Sequence, residues 1–283
     1  MRKKLCYCVG YRKRLLRYLE DKDIKFKIIG KKNDISRMIS FYIYDDEPYK
    51  DDVKKLVWSK PVILLSFSPE ELDEADYLRI LPTKDVISLK DNENTIQYFG
   101  CYYESNKKIW FWQTACAYEK QIKPLVIYKF SSWGKAMFYC SDDGSDIIFT
   151  RKEFEKVVED SKLKGVLLKP VYVKKNNELV DSGLSQMTST DIIPIDKILV
   201  DNKCIRKCVV CGKKKIVKIG SYQLKLDYNV GELDKDLYMT DPEFGSGITH
   251  PIYLISHNMY VLLRDKEMDK NMIFEPVIFN NKS

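Results

Sequence analysis

One stretch of this chain occurs twice. When the chain is slid by 106 positions, residues 253–279 lie without a gap over residues 147–173. Ile147, Ile148, Phe149 and Thr150 fall under Tyr253, Leu254, Ile255 and Ser256, and Phe154 and Val157 under Tyr260 and Leu263. The run from Val166 to Val171 falls under the run from Met272 to Val277, and both runs end in Pro-Val. Each copy reads as an apolar strand, a hydroxyl residue, an amphipathic helix, a turn and a second apolar strand. One such unit cannot bury its own apolar surface, so two copies are expected to pack in one domain or in adjacent ones. The expected fold class is α+β: antiparallel or mixed sheets with short capped helices, built from a duplicated strand-helix-strand unit.

Within the first copy, Thr150, Arg151, Lys152 and Glu153 match a capping box, in which the threonine oxygen accepts the glutamate N–H. Phe154, Val157 and Val158 then recur at helical spacing. Gly165 suits a helix exit, because glycine tolerates the left-handed conformation. Val166 to Leu168 is continuously apolar, as in a strand covered on both faces. Pro170 cannot donate to a ladder and should mark an edge or an end. In the second copy Ser256 takes the cap position, with Tyr260 and Leu263 on the buried face.

Three segments are expected: a basic N-terminal α+β unit over 1–95, a sheet with the first repeat over 96–180, and a cysteine-bearing hairpin with the second repeat over 181–283. In the first, Tyr11–Leu19 reads as a helix with Arg12, Lys13, Arg14 and Arg17 facing away from its apolar side, a candidate partner-binding surface. Strands are expected over 24–29, 38–44 and 62–65, and a helix over 51–57. Ser68, Pro69, Glu70 and Glu71 form a helix start with serine as the cap. Further strands are expected over 109–112, 125–130 and 136–140. The polar stretch 174–190 reads as a linker. Residues 216–219 and 223–228 read as a hairpin around Gly220-Ser221.

Charged residues are 31% and hydrophobic residues 45% of the 283, a balance ordinary for a globular protein, and no apolar run approaches a membrane span. The net charge is +7, and residues 1–34 hold twelve Lys/Arg against four Asp/Glu, so the remainder sums to about −1. The N-terminus turns basic again before an apolar core develops, unlike a signal peptide. A cytoplasmic setting is expected, with the eight cysteines as thiols or metal ligands.

Cys208, Cys211 and Gly212 form a C-x-x-C-G knuckle, whose tight turn lets two sulfurs meet one tetrahedral Zn²⁺. Cys204 is a third candidate ligand, while Cys101, Cys116 and Cys140 read as buried thiols. Cys204, Cys208 and Cys211 also match the C-x3-C-x2-C spacing of radical SAM clusters, but only 72 residues follow, too few for the barrel those enzymes need. Asp241, Ser246 and His250 could be drawn as a triad, yet no G-x-S-x-G elbow surrounds the serine. No enzyme activity is expected.

The C-terminal half resembles the double-CxxCG-motif immunity proteins of bacterial polymorphic toxin systems. The features that carry the resemblance are 147–150 with its helix, Gly165–Val171, Cys208-x-x-Cys211-Gly212 and Asp236-Leu237-Tyr238. They continue with Phe244-Gly245, Pro251–Ser256 and the closing 273–277. This chain has one CxxCG rather than two, and Cys6 with Cys8 is a candidate for the missing pair. The resemblance implies a cytoplasmic, non-catalytic antidote whose partner is a cognate protein toxin. Neither a membrane, nor nucleic acid, nor a disulfide-linked partner is expected. The alternatives are a nucleic-acid-binding or regulatory module with a zinc knuckle, and an enzyme of unrecognised class.

Overall fold

The structure is a computed structural model. It describes every residue except 31–36, 58–60, 84, 88, 90–94, 105–114, 129–135, 142–146, 218–222, 242–243, 246–248 and 281–283. The strand expected at 109–112 and the turn at Gly220-Ser221 lie outside the described residues. The chain forms two compact units, one built on Met1–Glu71 and the other on Leu72–Ile219 and Gln223–Ser283. Residues 72–95 thus belong with the second unit.

The first unit runs β1 (Arg2–Gly10), α1 (Lys13–Asp21), β2 (Phe26–Ile29), β3 (Met38–Tyr44), α2 (Lys50–Leu56) and β4 (Val62–Ser66), with α3 (Pro69–Asp73) at its border. Its sheet has the order β2-β3-β1-β4, and every pairing is antiparallel. Alternation decides the faces. Leu5, Tyr7 and Val9 of β1 and Ile39, Phe41 and Ile43 of β3 point into one core, which Leu15 and Leu19, one helical turn apart on α1, close from above. Tyr7 stands opposite Phe41 and stacks on it at 5.1 Å between ring centroids. At α3 the expected cap forms: Ser68 Oγ accepts the Glu71 N–H at 3.3 Å, and Glu71 accepts the Ser68 N–H at 2.9 Å.

The second unit continues with β5 (Tyr77–Pro82), β6 (Asp85–Ile87), β7 (Ile96–Phe99), α4 (Cys101–Glu104), β8 (Tyr118–Gln121), β9 (Val126–Ile127), β10 (Phe138–Ser141) and β11 (Ile148–Arg151). Then come α5 (Glu153–Asp160), β12 (Leu167–Lys175), β13 (Glu178–Thr188), β14 (Ile192–Ile193), β15 (Ile198–Leu199), β16 (Ile205–Lys207) and β17 (Lys214–Ile216). Last are β18 (Lys225–Leu226), β19 (Leu237–Thr240), β20 (Tyr253–Ser256), α6 (His257–Asp265), β21 (Met272–Pro276) and β22 (Ile278–Phe279). A six-stranded sheet has the order β6-β10-β11-β13-β12-β9 and a five-stranded sheet the order β14-β19-β20-β5-β21. Parallel and antiparallel pairs occur in both, so the architecture is mixed α and β.

Both stretches aligned by the 106-residue shift fold as strand, helix, strand. In each, a third strand runs antiparallel between the two: β13 separates β11 from β12, and β5 separates β20 from β21. The registers differ by one residue. Thr150 and Pro170 both face Ser185, while Ser256 faces Tyr77 and Pro276 faces Leu78. Phe154 and Val157 of α5 and Met259, Tyr260 and Leu263 of α6 enter one core with Leu78, Phe138, Ile148 and Ile255.

Several local expectations change. Thr150 does not cap α5: β11 runs on to Arg151, and the Thr150 hydroxyl, fully buried, donates to the Ser185 carbonyl at 3.4 Å. Lys152 takes the cap position without a side-chain bond. Ser256 caps α6 as expected, accepting the Met259 N–H at 3.1 Å. The left-handed residue after α5 is Lys162 (φ 51°), with Leu163 N–H closing onto the Val158 carbonyl. Gly165 (φ +78°) is needed for another reason: a Cβ there would stand 2.5 Å from the Leu237 carbonyl oxygen. Leu167 is exposed, so β12 is not covered on both faces. Pro170 lies inside β12, at a bulge.

The stretch read as a linker is instead part of the longest hairpin among the described residues, β12–β13, turned by Asn176 and Asn177 with both φ positive, at 49° and 66°. Residues 216 and 223–228 do not form a hairpin with each other, because β17 pairs with β16 and β18 pairs with β15 and β22. No helix among the described residues is long and apolar enough to cross a membrane.

Candidate metal centre

Two short hairpins of the second unit each deliver two cysteines to one point. In the first, β16 and β17 pair over three register positions, Ile205↔Ile216 to Lys207↔Lys214. Cys208 leaves β16 and Cys211 lies in the turn that follows. The turn closes through Gly212 N–H to the Cys208 carbonyl at 2.9 Å and Cys208 N–H to the Lys213 carbonyl at 2.8 Å. Gly212 takes φ +75°, which is why glycine follows the second cysteine. The Val210 N–H points at Cys208 Sγ, 3.4 Å away.

In the second hairpin β7 pairs with β8, and Phe99 stands opposite Tyr118. Cys101 opens α4 just after β7, and Cys116 lies two residues before β8. Cys101 N–H donates to Cys116 Sγ at 3.3 Å and Tyr102 N–H to the Cys116 carbonyl at 3.2 Å. Gly100 makes this approach possible. Its φ is +104°, and a Cβ there would lie 2.5 Å from the Cys116 carbonyl oxygen. Ala115 and Ala117, both fully buried, leave room on either side of Cys116. Gly100→Ala combines a left-handed backbone with a backbone collision, so a loss of about 1–3 kcal/mol is expected. Metal affinity should fall by about 10–100-fold, as when a supporting residue of a metal site is changed. Competition with a coloured chelator reads that fall directly.

The sulfurs of Cys101, Cys116, Cys208 and Cys211 all lie within 4.8 Å of one another. Cys116 Sγ and Cys211 Sγ are 3.8 Å apart. That is far beyond a disulfide at about 2.05 Å. It equals the edge of a regular tetrahedron with Zn–S bonds of about 2.3 Å, which is roughly 3.8 Å. The group can therefore hold a metal ion. Its protonation is uneven. Burial first, and then the neighbouring Cys211, Cys116 and Cys208 thiols, push the Cys101 thiol up, and burial likewise raises Cys116. Burial also opposes ionisation of Cys208, but N–H donation from Cys211, Cys116 and Val210 outweighs it and pulls that thiol down to about 6. Lys215, almost wholly buried, donates Nζ–H to the Ala115 carbonyl at 3.0 Å, one residue from Cys116.

Cys208 and Cys211 thus meet a different pair from those read in the sequence. Cys204 is buried in an apolar cluster with Ile198, Ile216 and Leu254 and is not one of the four. Cys6 and Cys8 lie on β1 of the first unit, and Cys140 on β10 has its Sγ 3.8 Å from the Pro82 carbonyl. Cys101 and Cys116, read as buried thiols, supply the second pair. No C-x-x-C marks them, because their proximity comes from a hairpin and not from a knuckle. The available signs were Gly100 directly before Cys101 and the alanines flanking Cys116.

The other candidate groups are dispersed. Arg12, Lys13, Arg14 and Arg17 are exposed at and along α1, but Asp21 and Asp52 share the groove that Lys13, Arg14 and Arg17 line. Asp241 and His250 line a cavity of about 330 Å³ with Lys169, Gln186, Thr188 and Tyr253. Asp241 Oδ2 accepts the Ile195 N–H at 3.2 Å, and His250 sits in a bridge with Phe244. Ser246 lies outside the described residues. Compared with known proteins, the chain matches no family, no curated protein and no solved structure.

Proposed function

We propose that the chain is a zinc-stabilised binding protein that neutralises a cognate bacterial toxin without catalysis. The observation that carries this reading is the four-cysteine group. Four protein sulfurs fill a tetrahedral shell and leave no open position for water or substrate, as in structural rather than catalytic zinc sites. A tetrathiolate zinc centre carries two negative charges, which suits the buried Lys215 ammonium beside it. The resemblance to double-CxxCG immunity proteins calls for two cysteine pairs. Cys101 and Cys116 furnish in space the pair that no second CxxCG provides. In this reading the two strand-helix-strand pieces are copies of one unit, a scaffold whose function lies in its surface.

The test is to recover the tagged chain from its own host with whatever binds it stoichiometrically, and to express that polypeptide alone and with the chain. The expected result is growth arrest by the partner alone and restored growth on co-expression. A stoichiometric partner that is harmless alone, or one whose toxicity persists beside the chain, overturns the reading.

A further inference from the structure

The hairpin that carries Cys208 and Cys211 lies in an acid-free basic stretch of the second unit. Residues 202–226 contain eight Lys/Arg and no Asp/Glu. Around the knuckle, Lys203, Arg206, Lys207, Lys213 and Lys214 are exposed. The register sets Lys207 opposite Lys214 and Arg206 opposite Lys215. Like charges directly opposite each other weaken a strand pair, so this arrangement costs stability wherever nothing negative covers it. A tetrathiolate metal centre would offset two of the eight positive charges. Lys203, Arg206, Lys207 and Lys214 have no ion-pair partner among the described residues. The basic groove along α1, by contrast, contains Asp21 and Asp52 within it. The tip of the knuckle adds apolar surface: Val209 is 67% and Val210 38% exposed.

We infer that this hairpin docks the phosphodiester backbone of a single-stranded nucleic acid, a partner additional to the protein partner proposed above. Lys207 and Lys214, opposite each other on one face of the ladder, neutralise successive phosphates, and Val209 and Val210 meet unstacked base faces. A cation row free of acids favours a polyanion of regular charge spacing. An acidic protein patch is the competing occupant. The inference rests on the hairpin and not on toxin neutralisation, so either can fail without the other.

The experiment is fluorescence anisotropy with a labelled 20-nucleotide oligo(U), using the full-length chain between 50 and 200 mM salt. Binding is expected to weaken with salt at a slope of about −0.7 per neutralised phosphate. Lys207→Gln/Lys214→Gln should reduce that slope by about 1.4 and weaken binding about tenfold at 50 mM salt. Its metal content should be unchanged and its melting temperature equal or higher, because a repulsive pair has been removed. Lys174→Gln/Lys175→Gln, an equal charge change on exposed residues of β12, should leave binding as in the wild type. In the wild-type chain, amide exchange over 205–216 should slow when oligo(U) is added, a readout that does not depend on any variant folding. Four results would overturn the inference. These are no binding at 50 mM salt, equal loss from both double variants, no added protection over 205–216, or displacement by poly-L-glutamate at equal charge.

Discussion

Cys208→Ser should abolish metal binding and loosen the two hairpins that meet at the four-cysteine group. The purified wild-type chain is expected to contain about one zinc per chain, read by elemental analysis, and the variant close to none. Serine keeps the size of cysteine but is neither a thiolate nor a good zinc ligand. The energetic consequence follows from how little else holds these hairpins. β16 and β17 pair over three positions, and Lys207 stands against Lys214. The cluster around the sulfurs consists of Ala115, Cys116 and Cys208, with Cys101 and Tyr102 partly buried beside it. That is too small a core to order loops alone. Losing a structural metal belongs among the large single effects, on the order of 4 kcal/mol. At about 2–4 °C per kcal/mol for a chain of this size, the melting temperature should fall by roughly 8–16 °C. Amide exchange should localise the damage, with the Cys208 and Gly212 N–H groups losing protection while those of α5 and α6 keep theirs. Acidification should release the metal by the same route, because protons and metal compete for the four sulfurs. A metal-free wild-type chain that melts as the metal-loaded one does would show no metal contribution and sink this prediction.

The reach of sequence reasoning here depended on whether a signal was local. The cap at Ser68 and the limits of β3 followed from alternation and cap chemistry within a few residues, and both are found. So did the cap at Ser256. Thr150 failed because its own strand runs on one residue and its hydroxyl turns to the Ser185 carbonyl of the neighbouring strand, and nothing in Thr-x-x-Glu distinguishes that from a helix start. Residues 174–190 looked like a linker because both strands of the hairpin are exposed at their far end, where Lys174, Lys175, Asn176, Asn177, Glu178 and Asp181 outnumber Leu179 and Val180. The Asn176-Asn177 pair was the sign of a hairpin turn. The place of β5 between β20 and β21 could not be read at all, since the partners lie more than 170 residues away and carry no pairing code beyond being apolar. The metal group divides in the same way. The knuckle is five residues long and legible, whereas Cys101 and Cys116 reach it only through the β7–β8 register.

Glu275→Ala should be among the most damaging substitutions away from the cysteines. Arg79 in β5 and Glu275 in β21 are cross-strand partners, joined at 2.9 Å from Nη1 to Oε2, with about 9% and 8% of their side chains exposed. On its other side Arg79 faces Leu254, and its Nε has no hydrogen-bond partner. Burying two charges is costly, and their attraction roughly repays that cost only while both are present. Alanine at 275 leaves the Arg79 charge without its partner in a nearly dry place. The expected loss is about 3–5 kcal/mol, large against the roughly 5–15 kcal/mol that holds a typical domain together. Arg79→Met/Glu275→Leu removes both charges and replaces them with apolar groups of similar size. It should recover most of that loss, or even exceed the wild type by about 1–4 kcal/mol. Urea unfolding of the wild type, both single variants and the double variant gives the coupling directly. Single variants that cost under about 1 kcal/mol would mean that water reaches the pair. A double variant as unstable as Glu275→Ala would mean that the pair also sets the register of β5 against β21. That register is what brings the C-terminal strand-helix-strand unit onto a strand near the start of the second unit, and so closes its larger core.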